Sequence, residues 1–391
     1  MLFKKPNSPN KMLFKKPNSP NKMLFRPRYI FLIVAVIFAL NAYRYAPSFL
    51  YGIALDKDQL KFLDYPVHDS GIFKEVFQNL DVFLENYAGM EVAFKIFVYP
   101  NKDEDTSYYH WGIRGVFSSE KFFHYNLLTS DRYSTSDDFE ANMFFISLTS
   151  LQISGKGVYA SGEDYLRYII NEYPHLNRTT GVHHFFVTCH DDGASVSERF
   201  PLLNNSIAVL CSAHNDSGHG IRHKHNRITL PQIRLPYEFP MGGKDIHHRT
   251  RLAFWATPGG TWPGHPHQER FKTSKYCICY GESFLTRICI TDSIHFGCVP
   301  VILYDNYELP FNDILDWTKF SVIIPEDDID QMEQILEDIS DSEFSDLHYN
   351  IVKVQKHFEW NSPPRKYDAF HMILYELWLR HLSISDDLLD F

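Results

Sequence analysis

Residues 274–325 read SKYCICYGESFLTRICITDSIHFGCVPVILYDNYELPFNDILDWTKFSVIIP, and no other stretch limits the fold as tightly. The pattern alternates strand, glycine-containing loop, helix and strand, then adds a second loop and a further strand. Residues 299–304 (VPVILY) are apolar and rich in β-branched side chains, the composition of a strand buried on both faces. Residues 288–296 set Ile288, Ile290, Ile294 and Phe296 around one acid, Asp292, which suits a short helix with its polar side toward a ligand, although the pattern alone also admits a strand. A strand–loop–helix–strand unit is the repeat of a parallel sheet wound with helices. Such sheets bind ligands beyond the carboxyl ends of their strands.

The same alternation extends in both directions. Residues 94–99, 141–148, 184–188, 207–211 and 228–230 read as strands, and 163–172 as a helix with Leu166, Ile169 and Ile170 on its apolar side. Residues 236–249 (PYEFPMGGKDIHHR) are rich in turn formers and mark a linker. Residues 251–256 then open a second α/β segment, and 327–339, 347–358 and 368–382 read as helices. At 391 residues, 44% of them hydrophobic, the chain exceeds a usual single core. The expected organisation is an α/β domain over residues 91–245 and a second over 246–391.

The amino-terminal part has a different character. Residues 1–28 hold eight lysines and arginines and no acid, largely within a duplicated MLFKKPNSPNK unit whose prolines break helices. That composition predicts a disordered basic tail. Residues 29–43 are apolar apart from Asn41, between Arg28 and Arg44. They read as a signal-anchor over residues 29–45, shorter than the roughly 20 residues of a typical span; a cleaved signal peptide is the competing reading. The positive-inside rule puts the tail in the cytosol, and the stem (residues 46–90) and all that follows in the lumen. Asn177-Arg-Thr, Asn204-Asn-Ser and Asn215-Asp-Ser are glycosylation sequons and agree with that placement. All six cysteines also lie beyond the apolar run, where disulfides persist. Cys189 with Cys211 and Cys277 with Cys298 are the expected pairs. Cys277 and Cys279 also invite a metal reading, but no second pair or histidine spacing completes a site. A net charge of −10 speaks against nucleic acid as a partner.

The words HHFFVTCHDDG, AVLCS, RLAFWA, SKYCIC, DSIHFGCVPVIL, LPFNDILDWTKFSV and VQKHFEWNSPPRKYDAFHMIL follow one another along the chain. Together they resemble the exostosin-like glycosyltransferase family, which includes plant cell-wall transferases and animal heparan-sulfate polymerases. The resemblance covers most of residues 94–382. It implies two Rossmann-like domains facing across a cleft, a GT-B-type arrangement, with the nucleotide sugar held mainly by the second. It further implies an inverting, metal-independent transferase, single-pass in the Golgi membrane with its catalytic part lumenal. Such an enzyme moves a sugar from a UDP-sugar type of donor to a polysaccharide or glycan acceptor. No cofactor is expected; other glycosyltransferase subunits are candidate partners.

This chemistry needs a base for the acceptor hydroxyl, stabilisation of the leaving diphosphate and a grip on the ribose. By resemblance Asp292 takes the ribose hydroxyls. Ahead of it, the backbone N–H groups of Gly281 and Ser283 are candidates for the diphosphate, although Glu282 would repel it. Arg287 and Arg270 are the candidate phosphate cations. Asp191, in the turn after residues 184–188, matches the acid of a family word and is the candidate base. No metal site is expected: the pairs His223/His225, His247/His248 and His265/His267 read as loop histidines, and Asp103/Asp105 and Glu326/Asp328 as charged turns. Trp360 and Tyr367 are expected to pack a junction rather than stack on sugar. Two departures from the family bear on activity. Cys289 stands where the family carries an arginine three residues before the acid. Residues 257–273 also look too short for the helix–strand unit the family places there. Both admit a non-catalytic reading, as a scaffold or partner subunit; a lectin-like module that binds no nucleotide is a third.

Overall fold

The computed structural model describes residues 71–101, 115–149, 153, 162–190, 193, 196, 200–211, 226–233, 242–243, 245–256, 265–281, 284–303, 305 and 308–387. The chain divides into Met1–Ser70 and Gly71–Phe391. The basic tail, the expected anchor and the stem up to Ser70 lie outside the described residues.

Helix α1 (Leu80–Ala93) opens the fold, started by Asn79, whose side chain accepts the Val82 N–H at 3.2 Å. Strands β1 (Ile96–Val98), β2 (Ser134–Thr135), β3 (Met143–Phe145), β4 (His184–Thr188), β5 (Ile207–Leu210) and β6 (Arg227–Thr229) then pair in parallel, in the order β2-β1-β3-β4-β5-β6. Helices α2 (Ser118–Leu128), α3 (Gly162–Glu172) and α4 (His175–Arg178) lie between them in sequence. Successive side chains leave a strand on opposite faces. Phe145, Phe185 and Val187 therefore enter one core, and Phe144, Phe186 and Leu210 the other. Only apolar runs suit a sheet covered on both sides. His184 shares that interior, its Nε2 2.8 Å from the Tyr99 hydroxyl. Burial, with His183 and His175 nearby, lowers its pKa to about 3, so the ring stays neutral.

Strands β7 (Arg251–Trp255), β8 (Ser274–Tyr280), β9 (Val299–Leu303) and β10 (Val322–Ile323) form a second parallel sheet in the order β10-β9-β8-β7. Helix α5 (His265–Thr273) connects β7 to β8, and α6 (Phe284–Phe296) connects β8 to β9. The short connection after Ala256 thus keeps a crossover helix that its sparse apolar pattern does not announce. Phe271 anchors α5, edge-on to Phe254 with centroids 5.0 Å apart. The connection suffices because β7 and β8 are direct neighbours.

At the amino edge of this sheet Arg249 is buried. Its Nη1 donates to the carbonyls of Phe271 (2.9 Å) and Ser274 (2.6 Å), and its Nη2 to that of Phe296 (2.6 Å). One guanidinium thereby serves the last turns of both α5 and α6, where helix dipoles favour a cation.

Helices α7 (Met332–Asp338), α8 (Asp341–Val354) and α9 (Ala369–Asp387) complete the fold. A capping box between Ser340 and Glu343 starts α8. Helix α9 returns to the first half of the chain: Phe370 meets Phe123 at 5.4 Å, Tyr375 meets Phe83 at 4.7 Å and Trp378 meets Phe94 at 5.6 Å. Trp360 and Tyr367 are buried. Trp360 Nε1 donates to the Pro231 carbonyl at 3.0 Å, and the Tyr367 ring lies 4.6 Å from Tyr87. Both residues pack, as the sequence suggests.

All six cysteines pair, as Cys189–Cys211, Cys277–Cys298 and Cys279–Cys289. The first two pairs follow the expectation, and the third removes the metal reading of Cys277 and Cys279. Among the described residues no helix is long and apolar enough to cross a membrane, and no cluster is placed to hold a metal ion.

Glu376 on α9 is buried, and burial lifts its carboxyl pKa to about 8; Arg380 opposes the shift, while Asp313 and Glu308 add to it. The folded state therefore holds a proton that the unfolded chain has already released. Its contribution is present at low pH and is lost as pH rises from the usual glutamate range to about 8. Glu376→Gln, followed by circular-dichroism melting across that window, is expected to lose less thermal stability with rising pH than the native chain. Parallel pH curves would contradict the assignment.

Candidate donor and catalytic site

The second sheet presents its carboxyl edge through the turn from β8 to α6. Gly281 follows β8 directly with φ +88°, a left-handed conformation that glycine adopts without the Cβ penalty. An added Cβ would meet nothing within 4 Å, so backbone conformation rather than space demands glycine. Thr286 Oγ1 donates to the Tyr280 carbonyl at 2.8 Å and ties the turn to the start of α6. Ser283 and Glu282 lie outside the described residues.

Helix α6 has three working faces. Arg287 and Thr291, one turn apart, face Gln232: Arg287 Nε donates to Gln232 Oε1 at 2.8 Å, and Thr291 Oγ1 to the Gln232 carbonyl at 2.5 Å. Cys289 turns inward to β8 through its disulfide with Cys279. Ser293, on the same side, closes on the Cys289 carbonyl at 2.6 Å. Asp292 occupies the third face and is 8% exposed. At 100° per residue it lies about 140° around the helix from Arg287 and about 60° from Cys289.

Gln232 joins the two sheets. Its Nε2 donates to the Val116 carbonyl at 2.9 Å, just before α2. The neighbouring Pro231 carbonyl accepts from Ser119 Oγ at 2.9 Å, and the Ile233 N–H donates to that same hydroxyl at 2.9 Å. Arg287, offered by the sequence as a phosphate cation, is thus buried with its Nε engaged at this seam. Arg270 is exposed in the last turn of α5, immediately before β8 begins. Gly281 follows the other end of that seven-residue strand, about 20 Å away at strand spacing. The structure therefore does not bring Arg270 to the Gly281 turn.

At the carboxyl end of β4, the Cys189–Cys211 disulfide ties β4 to β5. Glu120 on α2 is fully buried, and its Oε2 accepts the Cys189 N–H at 2.8 Å. The His190 ring stacks on Phe117 at 6.3 Å, and the backbone N–H of His190 donates to Thr188 Oγ1 at 3.2 Å. The Gly193 N–H closes a turn on the His190 carbonyl at 2.9 Å. Asp191, between these two in sequence, lies outside the described residues. Of the other candidates, His247 and His248 are exposed, and His248 pairs with Asp245. Asp103, Asp105, His223 and His225, and the side chains of His265 and His267, lie outside the described residues.

Gln232 and Glu120 escape sequence reasoning because each is one polar residue in a segment with no chemical motif. A faint signal exists at Glu120, an acid within the otherwise helical SSEKFFHYNLL. Trp255 and Tyr280 are also unannounced. They end the adjacent strands β7 and β8, 49% and 44% exposed, with rings edge-to-face at 6.3 Å.

Two changes test the anchoring of α6. Replacing both Cys279 and Cys289 by alanine opens a loop of sequence separation 10 and is expected to cost about 3 kcal/mol in urea unfolding. An unchanged midpoint would contradict a formed bond. Arg287→Met leaves the buried Gln232 Oε1 without that donor, at about 1–3 kcal/mol, measured the same way. A neutral substitution would show that the seam contributes nothing.

Comparison with known proteins agrees with this architecture. The family model described as the Exostosin GT47 domain matches residues 90–256 and 243–339. Two Arabidopsis thaliana proteins, each named a probable glycosyltransferase, are 30% and 31% identical over 367 and 351 residues. They span 83% and 80% of this chain, and 69% and 73% of the relatives. An Arabidopsis thaliana protein named a probable glucuronoxylan glucuronosyltransferase is 24% identical over 312 residues, spanning 66% of this chain and 70% of its own. The chain belongs to the exostosin GT47 family of glycosyltransferases.

Proposed function

We propose that this chain is an inverting glycosyltransferase of the Golgi lumen, transferring a sugar from a UDP-sugar to a cell-wall type polysaccharide or glycan. Its two parallel sheets would be the two lobes of a GT-B-type enzyme, with the donor on the second. The observation that carries the reading is the Gly281 turn at the carboxyl end of β8, followed by α6 with Asp292 off its anchored faces. A carboxylate accepts from both vicinal hydroxyls of a ribose. The N–H groups of a helix's first turn point out along its axis and suit a diphosphate.

In this reading the acceptor oxygen attacks the anomeric carbon. The new C–O bond forms as the bond to the diphosphate breaks, and the diphosphate leaves with its electron pair. Asp191 takes the acceptor's proton. Glu120 acts as a positioning residue, since its hydrogen bond to the Cys189 N–H and the Cys189–Cys211 bridge hold the chain just before Asp191. The donor stays at the UDP-sugar class: the relatives at 30% and 31% identity carry only the general name, and the name glucuronosyltransferase belongs to one at 24%.

One observation favours a second reading, a scaffold subunit without activity. Position 289, where the resemblance expects an arginine, is a cysteine locked to Cys279. Calorimetric titration of UDP into the purified full chain separates the two. The transferase reading expects binding in the micromolar to sub-millimolar range, weakened at least tenfold by Asp292→Ala. No binding by a folded chain would favour the scaffold.

A further inference from the structure

Two of the three sequons fall on described residues. Asn177 sits on α4, and Asn204 follows the short 3-10 turn Pro201–Leu203. Both side chains are exposed. Each sequon ends just ahead of a strand, β4 or β5, and those two strands are parallel neighbours. Both asparagines therefore sit at the amino edge of the first sheet. The two turns touch there, with Asn205 Nδ2 donating to the Thr180 carbonyl at 2.9 Å. The His190 turn lies beyond the five-residue strand β4, about 16 Å away.

The hydroxyls of the two sequons behave differently from the asparagines. Ser206 is 3% exposed, packed where a Cβ on Gly181 would come within 3.0 Å of its Oγ. Thr179 Oγ1 donates to the His175 carbonyl at 3.0 Å and lies 3.4 Å from His184 Nδ1. The folded chain thus presents the two amides but withholds the hydroxyls that complete the motif.

We propose that Asn177 and Asn204 both carry N-linked oligosaccharides, added before the β4–β5 layer folds; this rests on the lumenal placement in the reading above. In the step, the asparagine amide nitrogen bonds to the anomeric carbon of a lipid-diphosphate-linked oligosaccharide. The bond from that carbon to phosphate oxygen breaks, the lipid diphosphate leaves, and the amide gives up a proton. The two glycans cover the amino edge of the first sheet and leave its carboxyl edge open to substrates. The modification needs an unfolded chain at the moment of transfer, while the finished protein accommodates the sugars because both amides face solvent.

The test expresses the full chain in a secretory eukaryotic host with a sequon-bearing tag at its carboxyl terminus. Glycosidase release in heavy-oxygen water marks each formerly glycosylated asparagine for peptide mass spectrometry. Label at Asn177 and Asn204 is expected, and Asn177→Gln and Asn204→Gln each remove one glycan step on a gel. A modified tag with either asparagine unmodified overturns the proposal and leaves lumenal placement standing. An unmodified tag overturns lumenal placement and the proposal with it. In a second arm, purified oligosaccharyltransferase and lipid-linked oligosaccharide meet chain made in bacterial cytosol, either folded or urea-unfolded and diluted. Modification of the unfolded sample alone is expected; equal modification of both would overturn the requirement that transfer precede folding.

Discussion

Helix α6 is held from two sides, and the carboxyl edge of the second sheet takes its shape from that restraint. On one side the Cys279–Cys289 bridge fixes the helix covalently to β8. On the other, Arg287 and Thr291 bind the side chain and carbonyl of Gln232, whose amide reaches Val116 ahead of α2. Two anchors at different azimuths prevent the helix from rotating about its axis. Asp292 consequently has one direction to face. Arg249 completes the arrangement at the far end, collecting the carbonyls that close α5 and α6.

The elements that read clearly from the sequence are those whose burial is periodic. The segments HFFVT and VPVIL are strands because every one of their side chains is buried, and no helix of that length would need such a run. The first has the expected bounds, and the second ends one residue short of them, where hydrogen-bond pairing stops before apolar character does. Helix α5 was illegible for the opposite reason: HPHQERFKT hangs on Phe271 and has almost no apolar face. The pair Cys189–Cys211 follows from strand ends placed side by side, and Cys277–Cys298 joins the middle of β8 to the residue before β9. Cys279–Cys289 depends on the azimuth of α6 over β8, which one strand-and-helix pattern does not encode. Arg270 and Arg287 show the same limit. Charge marks each as a candidate phosphate ligand, yet the first lies at the opposite end of β8 from the Gly281 turn, and the Gln232 hydrogen bond occupies the Nε of the second.

The cysteine at position 289 sets an energetic question rather than a structural one. One preorganised donor to developing negative charge contributes about 3 kcal/mol in an enzyme, a factor of roughly a hundred in rate. Its absence would slow transfer without removing the site, because the diphosphate can still meet backbone N–H groups at the start of α6. The bridge to Cys279 gives stability of similar size. The chain has the anchoring at that position in place of a cation.

A nucleotide seated on the Gly281 turn and α6 would shield those segments from solvent. Hydrogen–deuterium exchange of the full chain, with and without saturating UDP, reads that seat directly. Slowed exchange confined to peptides covering residues 276–296, and abolished by Asp292→Ala, is the predicted result. Protection centred on the first sheet, with α6 unchanged, would contradict the account.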